Sequence, residues 1–132
     1  MTVIVLVVDD EPDVETLFRQ HFRHEVREGL YTLDFALSGE AALGKLEGCV
    51  GQQIVLLLSD INMPGMSGLD LLPAVKSTRP DLPVIMISAY GDGPTVATAM
   101  ARGASKFVTK PVDFFRLKQD VSTVVADARA GG

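Results

Sequence analysis

Residues 54–72 read IVLLLSDINMPGMSGLDLL, and this stretch decides the fold. Its apolar run, residues 54–58, is too short to span a membrane and has the length of a strand buried on both faces. The run ends at an acid, Asp60, and the chain then turns through residues 62–65 before a helical pattern begins. In open parallel α/β sheets, ligands bind where strands end and such loops open. Asp60 is therefore the first candidate site residue.

Five apolar segments alternate with five helical patterns along the 132 residues. The predicted strands cover residues 3–8, 31–37, 54–58, 82–87 and 105–109, and the helices begin near Pro12, Ser38, Ser67, Thr95 and Asp113. Alternation of this kind predicts parallel strands joined by right-handed crossovers. We expect one domain, residues 1–132, built as a three-layer α/β sandwich.

The helical patterns carry three specific expectations. Helix one is predicted to run from Pro12 to a stop at Gly29, with an apolar face formed by Val14, Leu17, Phe18 and Phe22. Pro73 lies inside the third helix, where its missing N–H should kink the helix or delay its start. The terminal segment from about residue 126 is expected to be a frayed tail.

Composition limits the function and the setting. The net charge of −5 argues against a nucleic-acid surface, which needs clustered basic charge. The single cysteine, Cys49, has no internal partner, is consistent with a reducing compartment, and is interpreted as a small residue after a helix end. The N-terminal segment lacks a basic leader and meets an acid after eight residues, so no signal peptide or membrane span is predicted. We expect a cytoplasmic protein.

Polar residues stand at the carboxyl ends of four of the five predicted strands. Asp9 and Asp10 close the first strand, Asp60 the third, Ser88 the fourth and Lys110 the fifth. The carboxyl ends of parallel strands meet at one edge of a sheet, so these side chains should converge.

Three neighbouring carboxylates repel one another unless a cation joins them. Magnesium suits such a site because it prefers oxygen ligands and is usually held by one or two carboxylates together with phosphate. A carboxylate is also a nucleophile toward phosphorus, and a lysine and a hydroxyl would stabilise the transferred phosphoryl oxygens. The set of residues therefore predicts magnesium-dependent phosphoryl transfer to an aspartate.

The motifs Asp9–Asp10, residues 60–68 (DINMPGMSG), Ser88–Ala89 and Lys110–Pro111 resemble those of a response-regulator receiver domain of two-component signalling. The resemblance covers essentially the whole chain, with the motifs in the family's order. It implies a flavodoxin-like fold, with a parallel sheet of order 2-1-3-4-5.

The resemblance also implies roles for the residues. Asp60 would accept a phosphoryl group from a sensor histidine kinase or a histidine phosphotransfer protein. Asp10, Asp60 and the backbone carbonyl of Asn62 would bind magnesium, and Asp9 would act through water. Ser88 and Lys110 would contact the phosphoryl oxygens, and the bond from Lys110 to Pro111 would be cis.

The same resemblance assigns four residues to switching or tuning. Ser88 and Phe107 would form the switch, and the alternative for Phe107 is a core aromatic. Asn62 and Tyr90 would tune the lifetime of the phosphoryl group, although Tyr90 is also consistent with an exposed loop residue. The segment between Asp10 and Asp60 is several residues longer than usual, and the extra length near residues 23–29 is expected to extend helix one.

No output domain accompanies the motifs, so a stand-alone receiver that acts on a downstream protein is expected, with a homodimer as an open option. It would not be an enzyme, although it would assist its own phosphorylation and dephosphorylation. One alternative is a pseudo-receiver that binds partners without phosphorylation. The other is a phosphohydrolase of the haloacid dehalogenase type, whose nucleophile motif DxDx[TV] would fall at residues 9–13, DDEPD.

Overall fold

A parallel sheet of five strands forms the centre of the computed structural model, which describes residues 3–48 and 51–131. The strands are β1 (Ile4–Val8), β2 (Thr32–Ala36), β3 (Ile54–Asp60), β4 (Val84–Ser88) and β5 (Lys106–Thr109). They are ordered β2-β1-β3-β4-β5, and all pairs are parallel. The predicted flavodoxin-like order is confirmed. Cys49 lies outside the described residues.

In the described part of the chain, six α-helices and one short 3-10 helix (Gly51–Gln53) alternate with the strands, and the last helix follows β5. The α-helices described are α1 (Pro12–His21), α2 (Arg23–Arg27), α3 (Gly39–Glu47), α4 (Gly68–Thr78), α5 (Gly93–Ala101) and α6 (Phe114–Gly131). The side chains of Ser38, Ser67 and Asp92 each accept a hydrogen bond from a backbone N–H in the first turn of the helix that follows. These caps fix where α3, α4 and α5 begin. Because Asp92 is the cap, α5 starts two residues before the predicted Thr95.

The two faces of the sheet bury separate apolar layers. Leu6 and Leu57 point to the face covered by α3, α4 and α5, whereas Val7, Leu56 and Leu58 point to the face covered by α1 and α6. Successive side chains of a strand point to opposite faces, so unbroken apolar strands are needed when both faces are covered. This burial explains why β1 and β3 consist of continuous apolar runs that end at the site.

The prediction of one long first helix is wrong. The helical pattern continues through residue 27, but the backbone at Phe22, with φ −104° and ψ 9°, leaves the helical conformation and separates α1 from α2. The ring of Phe22 is fully buried and packs against the rings of Phe18, Tyr31 and Phe114. The extra length therefore forms a separate short helix. Leu17 was predicted to be buried but is 42% exposed.

Of the kink or delay predicted at Pro73, the delay is wrong, and the expectation of a frayed tail is wrong as well. Pro73 does not delay α4, which begins at Gly68 under the Ser67 cap. The segment after residue 126 is not frayed within the described chain, because α6 continues to Gly131. Arg129 holds this end in place, since its Nη2 donates to the carbonyl of Leu30 at 2.7 Å. None of the helices described is long and apolar enough to cross a membrane.

Candidate functional site

The carboxyl edge of the sheet gathers the polar residues that follow the strands. Asp60 is the last residue of β3 and lies beside Ile87 of β4, and Ser88 ends β4 beside Thr109 of β5. Lys110 follows β5, and its backbone N–H donates to the carbonyl of Ser88 at 2.8 Å. This backbone bond holds the lysine at the end of the neighbouring strand.

Asp60 is a buried carboxylate, with 7% of its surface exposed. Its Oδ1 accepts the backbone N–H of Ile61 at 2.9 Å and lies 3.6 Å from Nζ of Lys110. One carboxylate oxygen of Asp60 lies within 4.8 Å of a carboxylate oxygen of both Asp9 and Asp10. Three acids and one ammonium group therefore share one small space.

Burial beside two other acids raises the pKa of Asp9 from 3.8 to about 6. Burial is the largest cause, and the neighbouring charges of Asp60 and Asp10 add to it. The N–H of Glu11, which donates to Oδ1 of Asp9 at 3.0 Å, and the ammonium of Lys110 oppose the shift. The ionised form of Asp9 is therefore destabilised in this site, and a bound cation would offset that destabilisation.

The donor set fits magnesium. All three members of the cluster are carboxylates, and among the described residues no histidine or cysteine joins them. Hard oxygen ligands of this kind suit magnesium, whereas zinc sites favour nitrogen and sulfur ligands. Asn62 follows in the loop after Asp60, where its side chain is exposed.

Ser88 is fully buried, and its Oγ accepts the backbone N–H of Tyr90 at 3.0 Å. The side chain of Tyr90 is 64% exposed, as expected for a loop residue. Phe107, on β5 opposite Met86, is half-buried and packs against the core layer below α5. The bond between Lys110 and Pro111 is cis.

Two features of the site escaped the sequence analysis. The first is Gly68, whose N–H donates to the carbonyl of Ile61 at 2.8 Å. A Cβ at this position would overlap the carbonyl oxygen of Asp60 and lie 2.8 Å from Cα of Ile61. Only glycine lets α4 begin this close to the end of β3, and the available signal was a glycine directly after the capping serine.

The second is a cavity of about 330 Å³ beside Asp60, Asp9 and Lys110. Its other walls are apolar: the ends of β1, β3 and β4 form the floor, and α1 and the segment after Lys110 contribute Leu17, Phe18, Pro111, Val112 and Phe114. Leu17 lines this cavity, which explains its exposure. A cavity of this kind requires two elements about 100 residues apart in the chain, so helical spacing alone does not reveal it.

Comparison with known proteins then identifies the family. The family model described as the response regulator receiver domain matches residues 5–122. The chain belongs to this family. The receiver domain is 38% identical over 120 residues to the response regulator protein PilR of Pseudomonas aeruginosa, covering 91% of this chain and 25% of PilR. It is 34% identical to the C4-dicarboxylate transport transcriptional regulatory protein DctD of Rhizobium meliloti, covering 87% of this chain and 24% of DctD.

Solved structures agree with this assignment. CheY in the CheX-CheY-BeF3-Mg complex of Borrelia burgdorferi is 33% identical, with a TM-score of 0.81, and the match covers 92% of this chain and 88% of that one. The receiver domain of a LuxO repressor protein of Vibrio parahaemolyticus is 25% identical, with a TM-score of 0.85, and the match covers 99% and 95%. The chain spans about a quarter of the length of the curated relatives named above. As a receiver domain of the response regulators of two-component systems, the chain is not a haloacid dehalogenase.

Proposed function

We propose that Asp60 is the residue that accepts the phosphoryl group, from a sensor histidine kinase or a histidine phosphotransfer protein. The observation that carries this proposal is the buried carboxylate of Asp60, with Lys110 at 3.6 Å and the oxygens of Asp9 and Asp10 within 4.8 Å. Asp60 attacks phosphorus, a bond forms between its carboxylate oxygen and phosphorus, and the bond from phosphorus to the donor breaks.

Magnesium, held by Asp10, Asp60 and the backbone carbonyl of Asn62 with Asp9 acting through water, would supply positive charge to the phosphoryl oxygens. Lys110 stabilises the same oxygens from the other side, because its ammonium already lies against Asp60. The N–H of Tyr90 occupies one acceptor position of the Ser88 hydroxyl, which leaves its hydrogen free to donate to a phosphoryl oxygen. The domain assists this transfer and the later hydrolysis without being a turnover enzyme.

Ser88 and Phe107 form the switch in this proposal. Movement of Ser88 toward the phosphoryl group frees space that the half-buried ring of Phe107 fills. The surface formed by α5, β5 and α6 then changes its shape and its affinity for a downstream protein. Asn62 and the exposed Tyr90 lie on the two loops beside Asp60, where they tune access of water to the phosphoryl group.

The cavity beside Asp60 supports a protein as the phosphodonor. Its apolar walls on α1 and after Lys110 form a surface on which a helix of the donor protein could pack and present a histidine toward Asp60. We propose a cytoplasmic setting and a single receiver domain over residues 1–132. Phe115, 73% exposed on α6, is an apolar residue that a second copy of the domain would cover in a homodimer.

Intact-mass measurement tests the proposal. The protein is incubated with magnesium and a small acyl phosphate, and the wild type, Asp60→Asn and Asp127→Asn are compared. Asp127 is an exposed acid on α6 and serves as the matched control. The wild type and Asp127→Asn should each gain one phosphoryl group, and Asp60→Asn should gain none. Equal uptake by all three proteins would remove Asp60 from its role, whereas uptake by none of them would favour the pseudo-receiver alternative.

A further inference from the structure

Pro73 leaves a gap in the hydrogen bonding of α4. In a continuous helix, the N–H of residue 73 would donate to the carbonyl of Leu69, four residues earlier. Proline has no N–H, so this carbonyl lacks the donor that residue 73 would otherwise supply. Pro73 itself is exposed, and α4 nevertheless continues to Thr78.

Arg102 fills this gap from another helix. Its Nη1 donates to the carbonyl of Leu69 at 2.8 Å and lies 3.4 Å from Oδ1 of Asp70. Arg102 is the residue that ends α5, and it lies 33 positions from Leu69 in the chain. A guanidinium group has several donors in a fixed plane, so it can contact the carbonyl and the carboxylate together.

The first turn of α4 is itself fixed to the phosphoryl acceptor site. Gly68 precedes Leu69, donates to the carbonyl of Ile61 and leaves no room for a Cβ against the backbone of Asp60. The bond from Arg102 therefore joins the end of α5 to a part of the molecule that is packed directly on Asp60 and Ile61.

The two ends of α5 are held differently. After Arg102, the N–H groups of Ala104 and Ser105 donate to the carbonyls of Ala99 and Val84, so this end is tied to β4 as well as to α4. At the other end, residues 89–94 are exposed and follow Ser88 directly. The side chain of Asp92 there bonds only within α5 itself, to Thr95.

We propose that Arg102 is a positioning residue that clamps the carboxyl end of α5 onto the carbonyl left free by Pro73. Occupation of the Asp60 site then swings α5 about this clamped end, so that movement is largest where the helix begins. This inference rests on the proposed function, since the swing is driven by the phosphoryl group. The clamp itself does not depend on phosphorylation.

Amide NMR spectra test the swing. Beryllofluoride with magnesium serves as the probe, and the shifts of the backbone amides of residues 90–104, apart from Pro94, are followed in the wild type, Arg102→Met and Arg27→Met. Arg27 is an exposed arginine on α2 and serves as the control. In the wild type and Arg27→Met, the shifts should be largest at residues 90–95 and decline toward Arg102. In Arg102→Met, they should extend through residues 98–104. One and the same profile in all three proteins would overturn the proposal.

A double-mutant cycle tests the clamp independently of the probe. Pro73→Ala restores an N–H for the carbonyl of Leu69, so loss of the Arg102 side chain should then destabilise the fold less. In the wild-type background, Arg102→Met should raise the unfolding equilibrium constant about five-fold, as expected for one hydrogen bond. In the Pro73→Ala background, it should raise the constant less than about two-fold. Equal effects in both backgrounds would overturn the clamp. Absence of any shift at amides 60 and 61 with beryllofluoride would instead contradict the proposed function.

Discussion

Asp60 shares its surroundings with two further carboxylates and a single ammonium group. Lys110 lies 3.6 Å from Asp60, and burial, together with the neighbouring charges of Asp60 and Asp10, raises the pKa of Asp9. Such a site favours a divalent cation and the oxygens of a phosphoryl group, which that cation and Lys110 would stabilise together. A bound cation would thus reduce the repulsion among the carboxylates of the site.

Two substitutions should change magnesium affinity in opposite directions. Asp10→Ala removes a carboxylate that we propose binds magnesium, so it should weaken binding at least about ten-fold. Lys110→Ala removes the positive charge that lies beside Asp60 and repels the cation, and should therefore strengthen magnesium binding. The gain should be only several-fold, because solvent partly screens the charge of Lys110. Calorimetric titration measures both, with Asp127→Asn as the control. Weaker binding by Lys110→Ala would show that the lysine does not repel the cation.

Asp9 should lower the stability of the metal-free protein at neutral pH. Its pKa in the folded state, about 6, exceeds the ordinary value of 3.8, so between these values the folded state binds more protons than the unfolded state. Stability therefore falls as the pH rises through this window. In the presence of a chelator, Asp9→Asn should raise the free energy of unfolding by about 1 to 2 kcal/mol at pH 7 after allowance for solvent screening. Below about pH 4, the gain should disappear.

Urea unfolding at the two pH values measures this difference. An equal gain at both pH values would mean that asparagine improves packing rather than removing a charge. With saturating magnesium at pH 7, the wild type should recover stability relative to Asp9→Asn, since the cation offsets the repulsion.

At the scale of elements, the start of α4 determines the geometry of the site. Gly68→Ala should destabilise the domain by about 1 to 3 kcal/mol, because the added methyl group meets the backbone of Asp60 and Ile61. Gly44→Ala, within α3 and with no atom within 4 Å of the added Cβ, should instead stabilise it by about 0.5 to 1 kcal/mol. Urea unfolding of both variants measures the difference. A neutral Gly68→Ala would contradict the close approach of α4 to β3.

The strands were predictable because each apolar run is bounded by polar or turn-forming residues. The break at Phe22 was not, because the spacing of Phe18 and Phe22 still fits one continuous helix. The helix breaks at Phe22, whose ring packs against Tyr31 and Phe114. These two residues are distant in the chain, so helical spacing does not reveal the contact. Likewise, the capped start of α4 follows from Ser67, whereas the partner of the Leu69 carbonyl is supplied by Arg102 of another helix.

At the scale of the whole molecule, parallel topology brings the ends of β1, β3, β4 and β5 to one edge. Alternating strands and helices predicted this architecture, and the family motifs implied the order of the strands. The cavity of about 330 Å³ beside the acids required the structure, because α1 and the segment after Lys110 form it jointly. The sequence motifs therefore predict the polar site at the carboxyl edge of the sheet, whereas the apolar cavity beside it is seen only in the folded structure.

Reductive trapping with borohydride tests the central claim, acceptance of phosphate by Asp60, most directly. Borohydride reduces an aspartyl phosphate to homoserine, and tryptic peptide mapping then locates the change. Asp60 lies in the peptide of residues 46–76, whereas Asp9 and Asp10 lie in the peptide of residues 1–19. After incubation with magnesium and a small acyl phosphate, homoserine should occur at position 60 alone. Homoserine at position 9 or 10, or an unchanged peptide of residues 46–76, would contradict the account.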